Sequence, residues 1–332
     1  MSSENAVESE SRPNARKILL GDVANVLETS VAALKHLAAR AEREYRRERR
    51  RVGKKDRLLC IPSTRLMEIQ RRIHERVLLP LPIPDVVYSR VGAGPVANAR
   101  AHQGRAYVLT EDIQNCFPSI KPRVVREALV LNGFEPDLAG LLTRLCTAFG
   151  SLPQGAPTSS RLLDLVLAPI DDRLAHMSTI RGCAYSRYVD DITISSDRPI
   201  GSLRDEISHA LRSVGLRLNR GKSRYSHESQ RPLVTGVVLA GDLRPQKQFL
   251  RGLSIELRRA ARDESRFSMD QLRGWVAWVQ QLNPSMGAEF QRYFDRCNRK
   301  MFGIRKDIGK RNRSNCGLDL AVPMLALISR SD

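Results

Sequence analysis

Apolar residues recur at helical spacing toward both ends of this chain and alternate in strand-like runs only in its middle. Leu19, Val23, Val26 and Leu27, then Val31, Leu34, Leu37 and Ala38, predict two helices within residues 16–50, with Ser30 as the N-cap between them. The second is expected to run on through the arginine-rich stretch from Arg43 to Arg51. Lys54 to Arg57 reads as a tight turn before a strand at Leu58 to Ile61. Ser63 then caps a helix from Thr64 to about Leu79, which Pro80, Pro82 and Pro84 end. A loop follows through Gly92, Gly94 and Pro95 to His102. Tyr107 to Asp112 reads as a strand, Pro118 turns the chain, and helices over 122–131 and 137–148 come next. A loop broken by Pro and Gly at 151–159 leads into a long apolar helix at 160–178. Tyr185 to Val189, followed by Ile192 and Ile194, predicts a β-hairpin, and Leu203 to Val214 a helix. Gly215 to Asn219 with Lys222 forms a short strand and turn. Leu233 to Ala240 is the last clear strand, with a hairpin turn at Gly241-Asp242. Beyond Pro245 the pattern is helical and basic, with Trp275 and Trp278 on one face. Strands in the middle with helices before and after make the expected class α+β.

The predicted hairpin carries an adjacent acidic pair, Asp190-Asp191, at its tip. Aspartate pairs are common in turns because the residue caps and turns well, and Asp171-Asp172 in the apolar helix is a second such pair. Two like charges side by side repel, so burying them without compensation is costly. A pair of Mg²⁺ ions would offset that cost. Mg²⁺ favours a few carboxylates plus substrate phosphates, an arrangement that clamps both oxygens of a phosphoryl transfer. A third carboxylate, Asp112, stands at the end of the upstream strand and strengthens the catalytic alternative.

Charge narrows the partner. The 332 residues carry 55 Lys and Arg against 36 Asp and Glu, a formal net charge of +19, with 42% hydrophobic content. That composition supports a globular fold and favours a polyanion, nucleic acid ahead of an anionic membrane. No run approaches the length of a membrane span, and Met1 to Lys17 is polar, with residues 1 to about 14 expected as a tail. Six scattered cysteines without a Cys-x-x-Cys pair suggest neither a zinc site nor a disulfide framework, which fits a reducing cytosol. The basic stretch at 43–51 is either a solvated surface or a phosphate-binding face.

Several motifs agree in order. Asp112-Ile113 with Phe117-Pro118-Ser119-Ile120, then Leu152 to Ser159, then Tyr188 to Asp191, then Gly215 to Asn219 with Lys222, resemble the conserved blocks of reverse transcriptases. Asn98-Ala99 with His102, and Val234-Thr235-Gly236, resemble two further motifs of bacterial retron reverse transcriptases. The resemblance covers roughly residues 40 to 285. It departs from the family at Cys116, where an aromatic is usual, and at Ser160, where proline is common.

The resemblance implies a right-hand polymerase. Residues 1–40 would form a tail and helical extension, 41–105 and 124–160 the fingers, 106–123 and 161–243 the palm, and 244–332 the thumb. It implies that Asp112, Asp190 and Asp191, with the Ile113 carbonyl, hold two Mg²⁺ ions. Lys55, Arg57, Gln154 and Gly155 would meet the incoming nucleotide, and Phe117 would exclude a 2′-hydroxyl. Lys222 would approach the leaving pyrophosphate. Phe117 and Lys222 also read as a core phenylalanine and a surface lysine. Asn98, His102, Val234, Thr235 and Gly236 would recognise retron RNA, His102 reading equally as a satisfied structural histidine. Trp275 and Trp278 suit either backbone tracking or a core. The implied activity is RNA-directed DNA synthesis from dNTPs on a dedicated non-coding RNA, starting at a guanosine 2′-hydroxyl and giving branched multicopy single-stranded DNA in anti-phage defence. The expected partners are that RNA and its DNA product, a separate effector protein and host RNase H, with no membrane and a bacterial cytoplasmic location. Other readings are an intron-encoded or diversity-generating reverse transcriptase, a non-catalytic RNA-binding polymerase fold, and an RNA-templated RNA polymerase.

Overall fold

Ser30 behaves as its position predicts. In the computed structural model, which describes residues 18–52, 55–201, 203–262 and 264–307, its Oγ accepts a hydrogen bond from Ala33 N at 3.1 Å. That cap opens α2 (Val31–Arg40) after α1 (Leu20–Val26). The predicted tail over 1–14 and Cys316 lie outside the described residues. The second helix does not continue into the arginines. A short 3-10 turn hands over to β1 (Tyr45–Val52), which pairs with β2 (Lys55–Pro62) in a two-stranded sheet. Arg and Glu are good helix formers, so the run reads as a helix locally; strand pairing overrides that weak preference. Tyr45 anchors the start of β1, its buried hydroxyl accepting from Gln70 Nε2 at 2.6 Å.

Ser63 Oγ accepts from Leu66 N and caps α3 (Thr64–Arg72), which continues into a wide π turn at Ile73–Leu78. The predicted loop beyond the prolines contains α4 (Pro95–Arg100), started by a proline in the first turn, where the missing N–H costs nothing. Then come β3 (Tyr107–Asp112), the single-turn α5 (Cys116–Ser119), α6 (Pro122–Leu131), α7 (Pro136–Cys146) and the long α8 (Ser159–Ile180). Arg161 in the first turn of α8 is buried and donates to the carbonyls of Leu78, Leu79 and Leu81. It thereby satisfies oxygens that the end of the preceding helical run leaves open.

The central sheet follows from β4 (Ala184–Tyr188), β5 (Asp191–Ser196) and, beyond α9 (Leu203–Arg212), β6 (Arg224–His227). Its order is β4-β5-β3-β6, antiparallel throughout. β6 is not legible in the sequence because it is an edge strand of largely exposed polar residues, with no alternation to read. The strand expected over 233–240 is two strands, β7 (Leu233–Val234) and β8 (Val237–Ala240). Thr235 (φ 46) and Gly236 (φ 83) turn the chain between them, and β9 (Asp242–Pro245) completes a small sheet.

Three helices end the described chain: α10 (Lys247–Ala260), α11 (Met269–Leu282) and α12 (Pro284–Asp307). Phe249, Leu253 and Leu257 of α10 join Trp275, Val276 and Val279 of α11, Phe294 of α12 and Val234 and Val237 of the small sheet in one core. Both tryptophans are core residues, Trp275 2% and Trp278 9% exposed. Phe249 packs edge-on against Trp278 at 4.8 Å between centroids. A Cβ at Gly287 of α12 would lie 2.3 Å from the Gln280 Cα of α11, so only glycine permits this helix contact.

By internal packing the chain divides into two units. One gathers the described residues up to Arg46, Cys60–Pro82 and Phe117–Val166; the other takes the described residues of 47–59, Ile83–Cys116 and the described residues from Leu167 onward. Among the described residues no helix is long and apolar enough to cross a membrane.

Candidate active site

Antiparallel pairing of β3 with β5 sets Asp112 directly opposite Asp191, so their side chains leave the same face of the sheet. Ile113 N donates to Asp190 O at 2.9 Å, closing the corner where the hairpin turns. Three carboxylates thus gather at one end of the central sheet. Like charges directly opposite one another destabilise a sheet, and two of the three carboxyls are raised above their ordinary range. Burial first, and the Asp112 charge second, raise the Asp190 carboxyl above its ordinary range, with Lys222 and Arg57 opposing. Asp191 opens β5 with an exposed surface while its carboxyl is partly desolvated by the surrounding protein. That desolvation, followed by the charges of Asp190 and Asp112, pushes it up to about 7.

Asp112 is the best satisfied of the three. Lys222 Nζ forms an ion pair with its Oδ1, and Asn219 Nδ2 donates to its Oδ2 at 3.2 Å. Asn219 N also donates to the Asp112 carbonyl at 2.7 Å and Gln114 N to the Arg217 carbonyl at 2.8 Å. That ladder leaves the Ile113 carbonyl out of its bonding.

Beneath the hairpin lies an ion pair that sequence reasoning passed over. Arg187 Nε and Nη2 reach the Asp171 carboxylate at 2.7–3.0 Å, and both side chains are 1% exposed. Tyr185 Oη donates to the same carboxylate at 2.8 Å. The remaining arm, Arg187 Nη1, donates to the Val189 carbonyl at 2.8 Å. Val189 needs that hold, because it sits at φ 56, a left-handed conformation that a β-branched residue adopts only under constraint. The second acidic pair of the sequence therefore contributes a counter-ion to the hairpin of the first. The available signal was Arg187 itself, a charge inside a strand with buried neighbours. Glu111 was missed as well: its side chain is wholly buried and holds Arg204 Nε and Ser223 Oγ at 2.8 and 2.7 Å.

The residues expected at the nucleotide are spread over both units. Arg57 is close enough to Asp190 for its charge to oppose the rise of that carboxyl. The Lys55 side chain lies outside the described residues. Phe117, half-buried, belongs with Gln154 and Gly155 to the first unit. There the Gln154 carbonyl accepts from Cys60 N of β2 at 2.8 Å, and a Cβ on Gly155 (φ 111) would lie 3.3 Å from the Cys60 carbonyl. Close approach to β2 already requires glycine here.

The residues expected to read RNA meet one another instead. Thr235 Oγ1 donates to the Pro95 carbonyl at 2.8 Å and accepts from Asn98 Nδ2 at 3.5 Å, joining the two motifs directly. His102 is 0% exposed, with Nδ1 and Nε2 each 2.7 Å from a hydroxyl, of Ser195 and Ser186 respectively. Burial, and secondarily the charge of Arg105, lowers its pKa to about 3, so the ring is neutral. Asn98 and Val234 are equally buried. All three side chains are buried, and Asn98 and His102 link α4 to the β7–β8 turn and to the central sheet. Only Thr235 and Gly236 retain partial exposure.

The family described as "Reverse transcriptase (RNA-dependent DNA polymerase)" matches residues 50–239, which contain every residue assigned above. The chain is 30% identical over 300 residues to the retron Mx65 reverse transcriptase of Myxococcus xanthus, covering 82% of this chain and 70% of that protein. It is 28% identical to the retron Mx162 reverse transcriptase of the same organism, covering 73% of this chain and 58% of that one. To the retron Ec86 reverse transcriptase of Escherichia coli it is 29% identical, covering 67% and 71% respectively.

Proposed function

The chain belongs to the reverse transcriptases, among those of retrons, and on that premise we propose that it copies one dedicated structured RNA into branched multicopy single-stranded DNA. It is an RNA-directed DNA polymerase and depends on a divalent metal, as its family does. The observation that carries the catalytic assignment is the register that faces Asp112 with Asp191 while Ile113 N holds the Asp190 carbonyl.

The donors fit a hard divalent cation. They are all oxygens, and burial and mutual repulsion make Asp190 and Asp191 resist ionisation without a neighbouring positive charge. Asp112, Asp190, Asp191 and the Ile113 carbonyl would hold two Mg²⁺ ions, which supply activation of the primer hydroxyl and neutralisation of phosphate charge. The chain's own groups do the rest. Lys222, in ion contact with Asp112, carries its ammonium beside the carboxylates and is assigned to the departing pyrophosphate on its motif. Arg57 would grip triphosphate oxygens with its guanidinium fork, helped by Lys55. Gln154 and Gly155 are assigned to the incoming nucleotide, and Phe117 to exclusion of the 2′-hydroxyl, on their motifs. In this reading β3–β6 are the palm, the β1–β2 hairpin belongs to the fingers, and α10–α12 are the thumb. Thr235 and Gly236 are the members of the retron motifs left for RNA. A separate effector protein, host RNase H and a cytoplasmic setting complete the proposal.

The test is to express the gene with its flanking DNA, extract nucleic acid and look for a short branched DNA. The expected band vanishes with Asp190→Ala/Asp191→Ala and shortens on debranching or RNase treatment. If purified protein extends an ordinary RNA template yet no branched DNA forms, the retron product is refuted and the polymerase stands.

A further inference from the structure

Next to the acidic corner, wholly within the second unit, is an open cavity of about 1040 Å³ formed by α9 and the 215–221 loop. Its wall begins at the catalytic strand. Asn219 lines it while holding both the carbonyl and the carboxylate of Asp112, and Gln114 lines it two residues after Asp112. Four arginines, Arg204, Arg212, Arg217 and Arg220, face it with a single carboxylate, Asp205.

In so basic a chain, surface arginines alone would mean little. Two features make this cavity a built one. Arg204 is pinned through Nε by Glu111, a carboxylate with 0% side-chain exposure. Burying a carboxylate is costly unless it does structural work, and here it fixes one guanidinium at the wall with its two outer nitrogens without other described partners. Arg212, Arg217 and Arg220 are exposed, and none of them has a described ion-pair partner. A concave wall of one sign concentrates small anions more strongly than scattered surface charge does.

We propose that this cavity is a polyphosphate port, through which pyrophosphate released beside Asp112 leaves and from which it can return. The inference rests on the placement of catalysis at Asp112, Asp190 and Asp191. The volume suits a nucleotide-sized polyphosphate, and the arginine forks match phosphate oxygens.

The experiment measures inhibition of primer extension by inorganic pyrophosphate, in wild type and in Arg212→Gln/Arg217→Gln/Arg220→Gln. These side chains are exposed, and the single Arg220→Gln serves should the triple variant fold poorly. The pyrophosphate concentration for half inhibition is expected to rise about tenfold in the triple variant and about twofold in the single one. RNA affinity should stay within twofold, and the wild-type inhibition should weaken more steeply with added salt than the variant's. Unchanged inhibition in a variant that still extends primers overturns the port. So does a fall in RNA affinity with or without that change, which would make the cavity a track for the RNA backbone. Loss of wild-type extension on replacing Asp112 tests the underlying catalytic placement separately: if Asp112→Ala extends normally, that placement fails first.

Discussion

Two motif clusters in the second unit are built from the same kinds of parts and end in opposite energetic states. At the acidic corner a β-branched residue, Val189, is held left-handed by Arg187, and the carboxylates beside it are left in mutual repulsion. At the β7–β8 turn another β-branched residue, Thr235, is held left-handed, its hydroxyl tied to Pro95, and the buried groups around it are largely paired within the protein. Both clusters lie within the residues that match the family. What separates them is unspent charge: the first keeps carboxylates in mutual repulsion, while the second pairs most of its neutral polar groups inside the chain. A motif says that residues are constrained, and the satisfaction of their polar groups says whether by chemistry or by folding.

The sharpest way to break the comparison is to exchange charge for neutrality on the acidic side. Asp190→Asn should cut primer extension by at least ~10³-fold while leaving the melting temperature of metal-free protein unchanged or higher, since a repulsive charge is gone. A fall in both would place Asp190 with the scaffold. Next in size, Arg187→Met strands Asp171 in the interior and should cost roughly 3–5 kcal/mol in denaturant unfolding. Adding Asp171→Leu should return most of that stability. The double variant, folded but with Val189 released, should still extend primers ten- to a hundredfold more slowly; wild-type turnover would reduce the ion pair to packing.

On the other side, His102→Leu leaves the Ser186 and Ser195 hydroxyls without their ring partner and should cost about 2–4 kcal/mol, with activity falling only as the folded fraction does. The same residue sets a pH limb. Below about 6.5 the unfolded chain takes up a proton that folded His102 refuses until about 3, so stability should decline as pH falls through that window. In His102→Leu the decline should be shallower, which urea titrations at successive pH values would show. The smallest effect is expected from Thr235→Val, about 1 kcal/mol for the lost bond to Pro95.

The sequence is legible where local and global preferences agree. Ser30 and Ser63 cap the helices they precede, and the runs from Tyr107 and Tyr185 become the strands that carry the aspartates. It misleads where strand pairing overrides local preference. The stretch from Arg46 to Arg51 reads as a helix because Arg and Glu are good helix formers and its residues carry no strand-like alternation, and β6 is an edge whose residues do not alternate. The acidic corner was readable because its aspartates stand at the ends of strand-like runs, in motifs that resemble those of reverse transcriptases. Arg187, Asp171 and Glu111 were not, because a buried charge is explained only by the partner it meets.

Val189 has a consequence for anyone who would improve this protein. A β-branched residue at a left-handed position is what stability-guided redesign replaces first, with glycine or asparagine. Such a change would relax the turn and raise the melting point, and it would also free the peptide that aims Asp190 and Asp191. Selection for robustness and selection for aim pull in opposite directions at this one position, so a hardened version of the enzyme should be sought everywhere except there.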